Sequence, residues 1–97
     1  MTIKSKNDDE PNKYLSLLGA GVRHERMARG FSQEAFADHV HMDRSFMGGV
    51  ERGQRNLSFI NIMRILEGLD MEPCAFFSAH VPLLKGAKRK SPRARAD

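Results

Sequence analysis

An all-α fold of five short helices is predicted by three features of this 97-residue sequence. Apolar residues recur at i, i+3/i+4 spacing in successive stretches, which is the signature of helices with one buried face. Ser32, Asp43, Ser58 and Pro73 stand where four of those stretches begin, and each is a residue type that starts helices. No segment alternates with the period of two that a half-buried strand requires.

The elements follow in order. Residues 1–11 are polar, mixed in charge and end in Pro11, and they read as a flexible arm. From Asn12 the pattern turns helical, with Leu15, Leu18 and Val22 on one face and Tyr14 beside them, and Gly30 ends the helix in a left-handed conformation. Ser32 caps a short second helix carrying Phe36, Ala37 and Val40. The chain turns at His41 and Met42. Asp43 caps a third helix with Phe46, Met47 and Val50, which Gly53 stops. Residues 53–57 form a loop. Ser58 caps a fourth helix that faces Ile62, Ile65, Leu66 and Leu69 inward. After a break at residues 70–73, a fifth helix carries Cys74, Phe76 and Phe77. Residues 12–84 therefore make one domain, and 85–97 a basic tail expected to be disordered.

Composition narrows the function. The chain is 40% hydrophobic and 29% charged, as expected of a soluble globular protein. No apolar run approaches the roughly 18 residues of a membrane helix, and the first residues lack the apolar core of a secretory signal. The single Cys74 rules out an internal disulfide and fits a reducing cytoplasm. No CxxC or HxxxH spacing supports zinc, and no nucleophile–base or phosphate-cradling arrangement supports an enzyme. Neither a cofactor nor a small-molecule effector is expected. The net charge of +4 is uneven. Residues 85–97 hold six basic groups against Asp97, a net of +5, while residues 1–84 hold ten basic and eleven acidic groups, a net of −1. The basic balance thus belongs to the tail. It either aids solubility or lies along phosphates without choosing sequence.

The second and third helices, joined by a three- to four-residue turn, form a helix-turn-helix candidate over residues 32–51. Around it lie Leu18-Gly19, Val22-Arg23, Arg26, Gly30, Phe31-Ser32-Gln33-Glu34, Ala37, Ser45, Val50-Glu51-Arg52-Gly53, Arg55-Asn56, Ser58 and Phe76-Phe77. In these residues the chain resembles the lambda-repressor/Cro-like (XRE-type) family of helix-turn-helix regulators. The stretch DRSFMGGVERGQRNLS is similar to the controller proteins of restriction–modification systems. The resemblance implies a sequence-specific regulator of double-stranded DNA, cytoplasmic and of bacterial, phage or plasmid origin. It also implies a recognition helix near residues 43–51 lying in the major groove, where each base pair shows its own donor and acceptor pattern.

On that reading Asp43, Arg44, Ser45 and Phe46 start the recognition helix. Arg44 can bond guanine O6 and N7 in bidentate fashion. Phe46 is either core or a contact to a thymine methyl or sugar. Ser32 and Gln33, at the start of the second helix, are expected beside a phosphate, with Gln33 also bracing the recognition helix. Arg52, Gln54, Arg55 and Asn56 are expected on phosphates, where they contribute affinity rather than sequence choice. The resemblance further implies that Arg26 and Glu51 form a partly buried ion pair.

Three positions depart from the family pattern. Gly48 and Gly49 leave the recognition helix without side chains in its second half. Either direct readout is reduced there, or Gly49 allows DNA or a partner helix to approach closely. His41 occupies the turn position where the family often has a left-handed glycine, at a cost of roughly 1 kcal/mol. Glu25 stands where an apolar residue is frequent.

A short recognition helix covers few base pairs, so a homodimer on a near-palindromic site is expected. Its surface is placed on the last two helices, through Ile60, Met63, Leu69, Met71, Phe76, Phe77 and Val81. The alternative reading is an antitoxin-like interaction module that grips another protein through the same helices.

Overall fold

The computed structural model describes residues 12–82. The expected N-terminal arm and basic tail lie outside these residues, as do positions 83 and 84. Five helices follow one another: α1 Lys13–Ala28, α2 Gln33–His39, α3 Arg44–Glu51, α4 Phe59–Leu69 and α5 Pro73–His80.

Local chemistry accounts for where each begins. The first turn of a helix leaves amides without partners, and a short polar side chain just before it supplies one. Asn12 Oδ1 accepts from the Tyr14 and Leu15 amides at 2.9 and 3.3 Å. Ser32 Oγ accepts from Ala35 N, and Ser58 Oγ from Asn61 N. Asp43 Oδ2 accepts from the Ser45 and Phe46 amides. Helix α5 has no such cap and begins with Pro73 in its first turn instead, where the missing N–H costs nothing. At the other end, α1 closes two residues before the Gly30 assigned to it by the sequence reading. Arg29 is its C-cap, and Gly30 follows at φ 82°. His41 is left-handed at φ 60°. The turn around it is held by backbone bonds from His41 N to the Asp38 carbonyl and from Met42 N to the Ala37 carbonyl.

Helix α1 is the spine of the fold, packing against α3, α4 and α5, while α2 packs on α3. The core combines Leu18 and Val22 with Phe36, Ala37 and Val40, Met47 and Val50, Ile65, Leu66 and Leu69, and Phe76. Every helix contributes, so none can bury its apolar face alone. Tyr14, grouped with the inward face in the sequence reading, is half exposed. Leu69 and Phe76, expected at a dimer surface, are each 0% exposed. They are core residues of the single chain, enclosed in the interior to which all five helices contribute.

Glu25 has a polar partner set where an apolar contact was the norm. A carboxylate only accepts, so His80 Nε2 must donate to Glu25 Oε2, at 2.6 Å, while Arg29 Nη1 donates to Oε1 at the same distance. These contacts tie the end of α5 to α1. The bond from His80, and after it that from Arg29, holds the Glu25 carboxyl below its ordinary range against a smaller opposing effect of burial. A depressed carboxyl stabilises the fold above its unfolded pKa and loses that contribution as pH falls through the folded value. In urea unfolding from pH 7 to pH 3, the wild-type advantage over Glu25→Gln is expected to hold at neutral pH and to shrink below about pH 4.5. A gap that fails to shrink below that pH would refute this assignment.

Candidate nucleic-acid interface

The surface that α3 presents is decided by what the opposite side buries. Met47 and Val50 enter the core at 0% and 2% exposure. Glu51 is turned inward as well. Arg26 Nε donates to its Oε2 at 2.7 Å and Arg26 Nη2 to its Oε1 at 3.0 Å, with both side chains under 10% exposed. The same guanidinium donates through Nη1 to the Phe31 carbonyl at 2.8 Å. Gln33 Nε2 also donates to Glu51 Oε1, at 3.0 Å. One carboxylate thus joins α1, the start of α2 and the end of α3, fixing the angle between the two helices of the motif.

At the free end of α3, Arg44 and Ser45 are exposed. Asp43 caps the helix and orients Ser45, whose hydroxyl donates to Asp43 Oδ2 at 2.5 Å. That hydroxyl bond, followed by the Phe46 and Ser45 amides, holds the Asp43 carboxyl below its ordinary range. Ser45 therefore has its proton committed and its lone pairs free to accept. Ser32, Asp43 and Arg44 line one shallow cleft between the starts of α2 and α3, with Glu34 and Asp38 along it. Phe46 is half buried against the core. Beyond the helix, Arg52, Arg55 and Asn56 are exposed and Gln54 is half buried. Arg52 Nε donates to Gln54 Oε1 at 2.9 Å.

Gly49 is buried, with the stem of Arg55 lying across it. A Cβ at residue 49 would stand 2.8 Å from Arg55 Cγ and 3.1 Å from its Nε, and one at residue 48 would stand 3.1 Å from Arg52 Nη1 and 3.3 Å from Gln33 Oε1. Arg52 and Arg55 follow α3 closely in the sequence, whereas Gln33 is brought to Gly48 from the preceding helix.

On the far side, Ile60 is 68% exposed and Phe77 37%, while Met63, Met71 and Val81 are half buried against the core. Phe59, which sequence reasoning passed over, is the most exposed large apolar residue there at 73%. Its signal was available: two large apolar residues directly after the Ser58 cap, one more than an inward stripe needs.

A helix-turn-helix domain family model matches residues 17–75. Control protein C.MunI of a Mycoplasma species is 38% identical over 47 residues, which are 48% of this chain and 64% of that protein, just under two thirds of its length. Among solved structures, the restriction-modification controller protein C.AhdI of Aeromonas hydrophila superposes with a TM-score of 0.65 at 45% identity, covering 68% of this chain and 100% of that one. The controller protein C.Esp1396I, solved as a tetramer in complex with its natural 35 base-pair operator, gives a TM-score of 0.67 at 28% identity, covering 73% and 93%.

Proposed function

This chain belongs to the helix-turn-helix family that includes the restriction–modification controller proteins, and from that premise we propose that it is a transcriptional regulator that binds a near-palindromic operator as a homodimer. Helix α3 enters the major groove, and the protein works at the DNA of a bacterial, phage or plasmid genome in the cytoplasm. Among the described residues no helix is long and apolar enough to cross a membrane.

The observation that carries this reading is the exposed first turn of α3. Arg44 and Ser45 stand clear of the protein surface, on a helix whose tilt is set by the Arg26–Glu51–Gln33 contacts. A guanidinium held there can meet the acceptor pair of a guanine. Ser32, Gln33, Arg52, Gln54, Arg55 and Asn56 flank the helix and supply contacts to the backbone of the duplex. Phe59, Ile60 and Phe77 supply the dimer face, with Met63, Met71 and Val81 beneath it. Two copies related by a two-fold axis then read two half-sites about one helical turn apart.

Selection of bound duplexes from a random pool tests the whole reading, since it returns site, symmetry and half-site spacing together. A symmetric enriched motif is expected, with a dimeric mass in solution. A pool without enrichment would overturn it. In the same assay Arg44→Ala is expected to lose the guanine preference at one position per half-site. Each half-site would lose about 1–3 kcal/mol of discrimination there, with little change in salt dependence. Unchanged base preferences would remove Arg44 from the reading role.

A further inference from the structure

Helix α3 carries no side chain at two positions of its outward face, and both places are filled from elsewhere. At 100° per residue, Met47, Val50 and Glu51 point inward, which sets Ser45, Gly48, Gly49 and Arg52 on the opposite side. An outward glycine would ordinarily be open, yet Gly48 and Gly49 are both buried. What covers them is side chain: the Arg52 guanidinium and the Gln33 amide over Gly48, and the largely aliphatic stem of Arg55 over Gly49. From Gly49 the Arg55 side chain runs on to the ring of Phe46, where its guanidinium carbon lies 5.8 Å from the centroid. That distance is within the range of a cation–π contact.

We propose that Gly49 is a positioning residue for DNA binding: it keeps clear the bed in which Arg55 lies, so that Arg55 is presented over Phe46 on the groove-facing side of α3 before DNA arrives. The inference rests on the reading of Arg55 as a DNA contact. An exposed arginine gives up rotamer freedom on binding, and ordering it beforehand reduces that loss. Any side chain at residue 49, alanine included, brings its Cβ within 2.8 Å of Arg55 Cγ, closer than the two carbons can stand. The obstacle is an exposed side chain, not backbone, and Arg55 clears it by turning about its Cα–Cβ bond, so Gly49→Ala is expected to fold and to melt higher, as alanine favours helix over glycine. Stability and binding therefore move in opposite directions.

The test is a double-mutant cycle on the selected duplex, with affinity read by fluorescence anisotropy. Wild type, Gly49→Ala, Arg55→Ala and the double variant are compared, with thermal unfolding run on each. Gly49→Ala is expected to weaken binding about two- to tenfold, the equivalent of ordering one long side chain, while raising the melting temperature. In the Arg55→Ala background the same replacement is expected to change affinity by less than about 1.5-fold, within the usual additivity error of independent sites. Phe46→Leu, which leaves the glycine in place, is expected to show the same dependence on Arg55. A loss from Gly49→Ala that is equal in both backgrounds would overturn the proposal in favour of DNA approaching the backbone itself. No loss in either background would overturn it outright. If Arg55→Ala alone leaves affinity unchanged, the reading of Arg55 as a contact fails first, and the positioning role with it.

Discussion

Glu51→Ala is expected to lower the stability of this domain by about 3–5 kcal/mol, the usual cost of stripping one partner from a buried ion pair. Native proteins hold only about 5–15 kcal/mol in total, so this is a large fraction of the domain's stability. The reason lies in what remains. Arg26 is 7% exposed, and a buried cation needs a partner. Without Glu51 it keeps its bond to the Phe31 carbonyl but has no counter-charge. The Gln33 amide loses its acceptor in the same step. The pair as a whole is another matter, since replacing both charged residues by apolar ones of similar volume is often neutral. Arg26→Leu combined with Glu51→Leu is therefore expected to unfold at a higher urea concentration than Glu51→Ala alone. Loss of folding should dominate, with a smaller loss of binding by the folded fraction, because Glu51 itself faces inward but its contacts to Arg26 and Gln33 set the tilt of α3. A wild-type urea midpoint for the single variant would sink the argument.

The helices were legible because their causes are local. Ser32, Asp43 and Ser58 cap from one position before the helix they start, and the apolar residues behind them keep a helical period whatever they pack against. The left-handed turn at His41 was legible chiefly through family resemblance, since histidine, though commoner at positive φ than most residues, is only a weak signal for φ 60°. Burial was harder to read. Leu69 and Phe77 are equally apolar, but one is enclosed and the other lies at the rim. The difference depends on how α4 and α5 meet α1, which no local pattern encodes. The candidate interface divides in the same way. Arg44 and Ser45 follow from their place in the first turn of α3. The link from Gln33 to Glu51 and the bed of Arg55 over Gly49 join residues brought together only by the turns between helices.

Gly19→Ala puts that division to use, because helix propensity alone predicts the wrong sign for it. In an isolated helix the change would gain about 0.8–1.0 kcal/mol, as it should at Gly49. Gly19 is instead where α1 crosses the end of α3. Its added Cβ would fall on the carbonyl oxygen of Val50, with the carbonyl oxygen and carbon of Glu51 at 2.8 and 2.9 Å. These are backbone atoms in the last turn of α3. No rotamer change relieves the contact, and α3 must shift as a unit. Overpacking of this kind costs typically 1–3 kcal/mol, occasionally more, and backbone against backbone belongs at the upper end. The net expectation is a clear loss in urea unfolding despite the gain in propensity. Because the shift moves α3, whose outer face carries Arg44 and Ser45, the folded fraction should also bind its operator more weakly. Gly49→Ala and Gly19→Ala make the same chemical change in two helices, yet their stabilities should move apart. If both variants melted higher than wild type, the close crossing of α1 over α3 would not be the constraint that keeps residue 19 small.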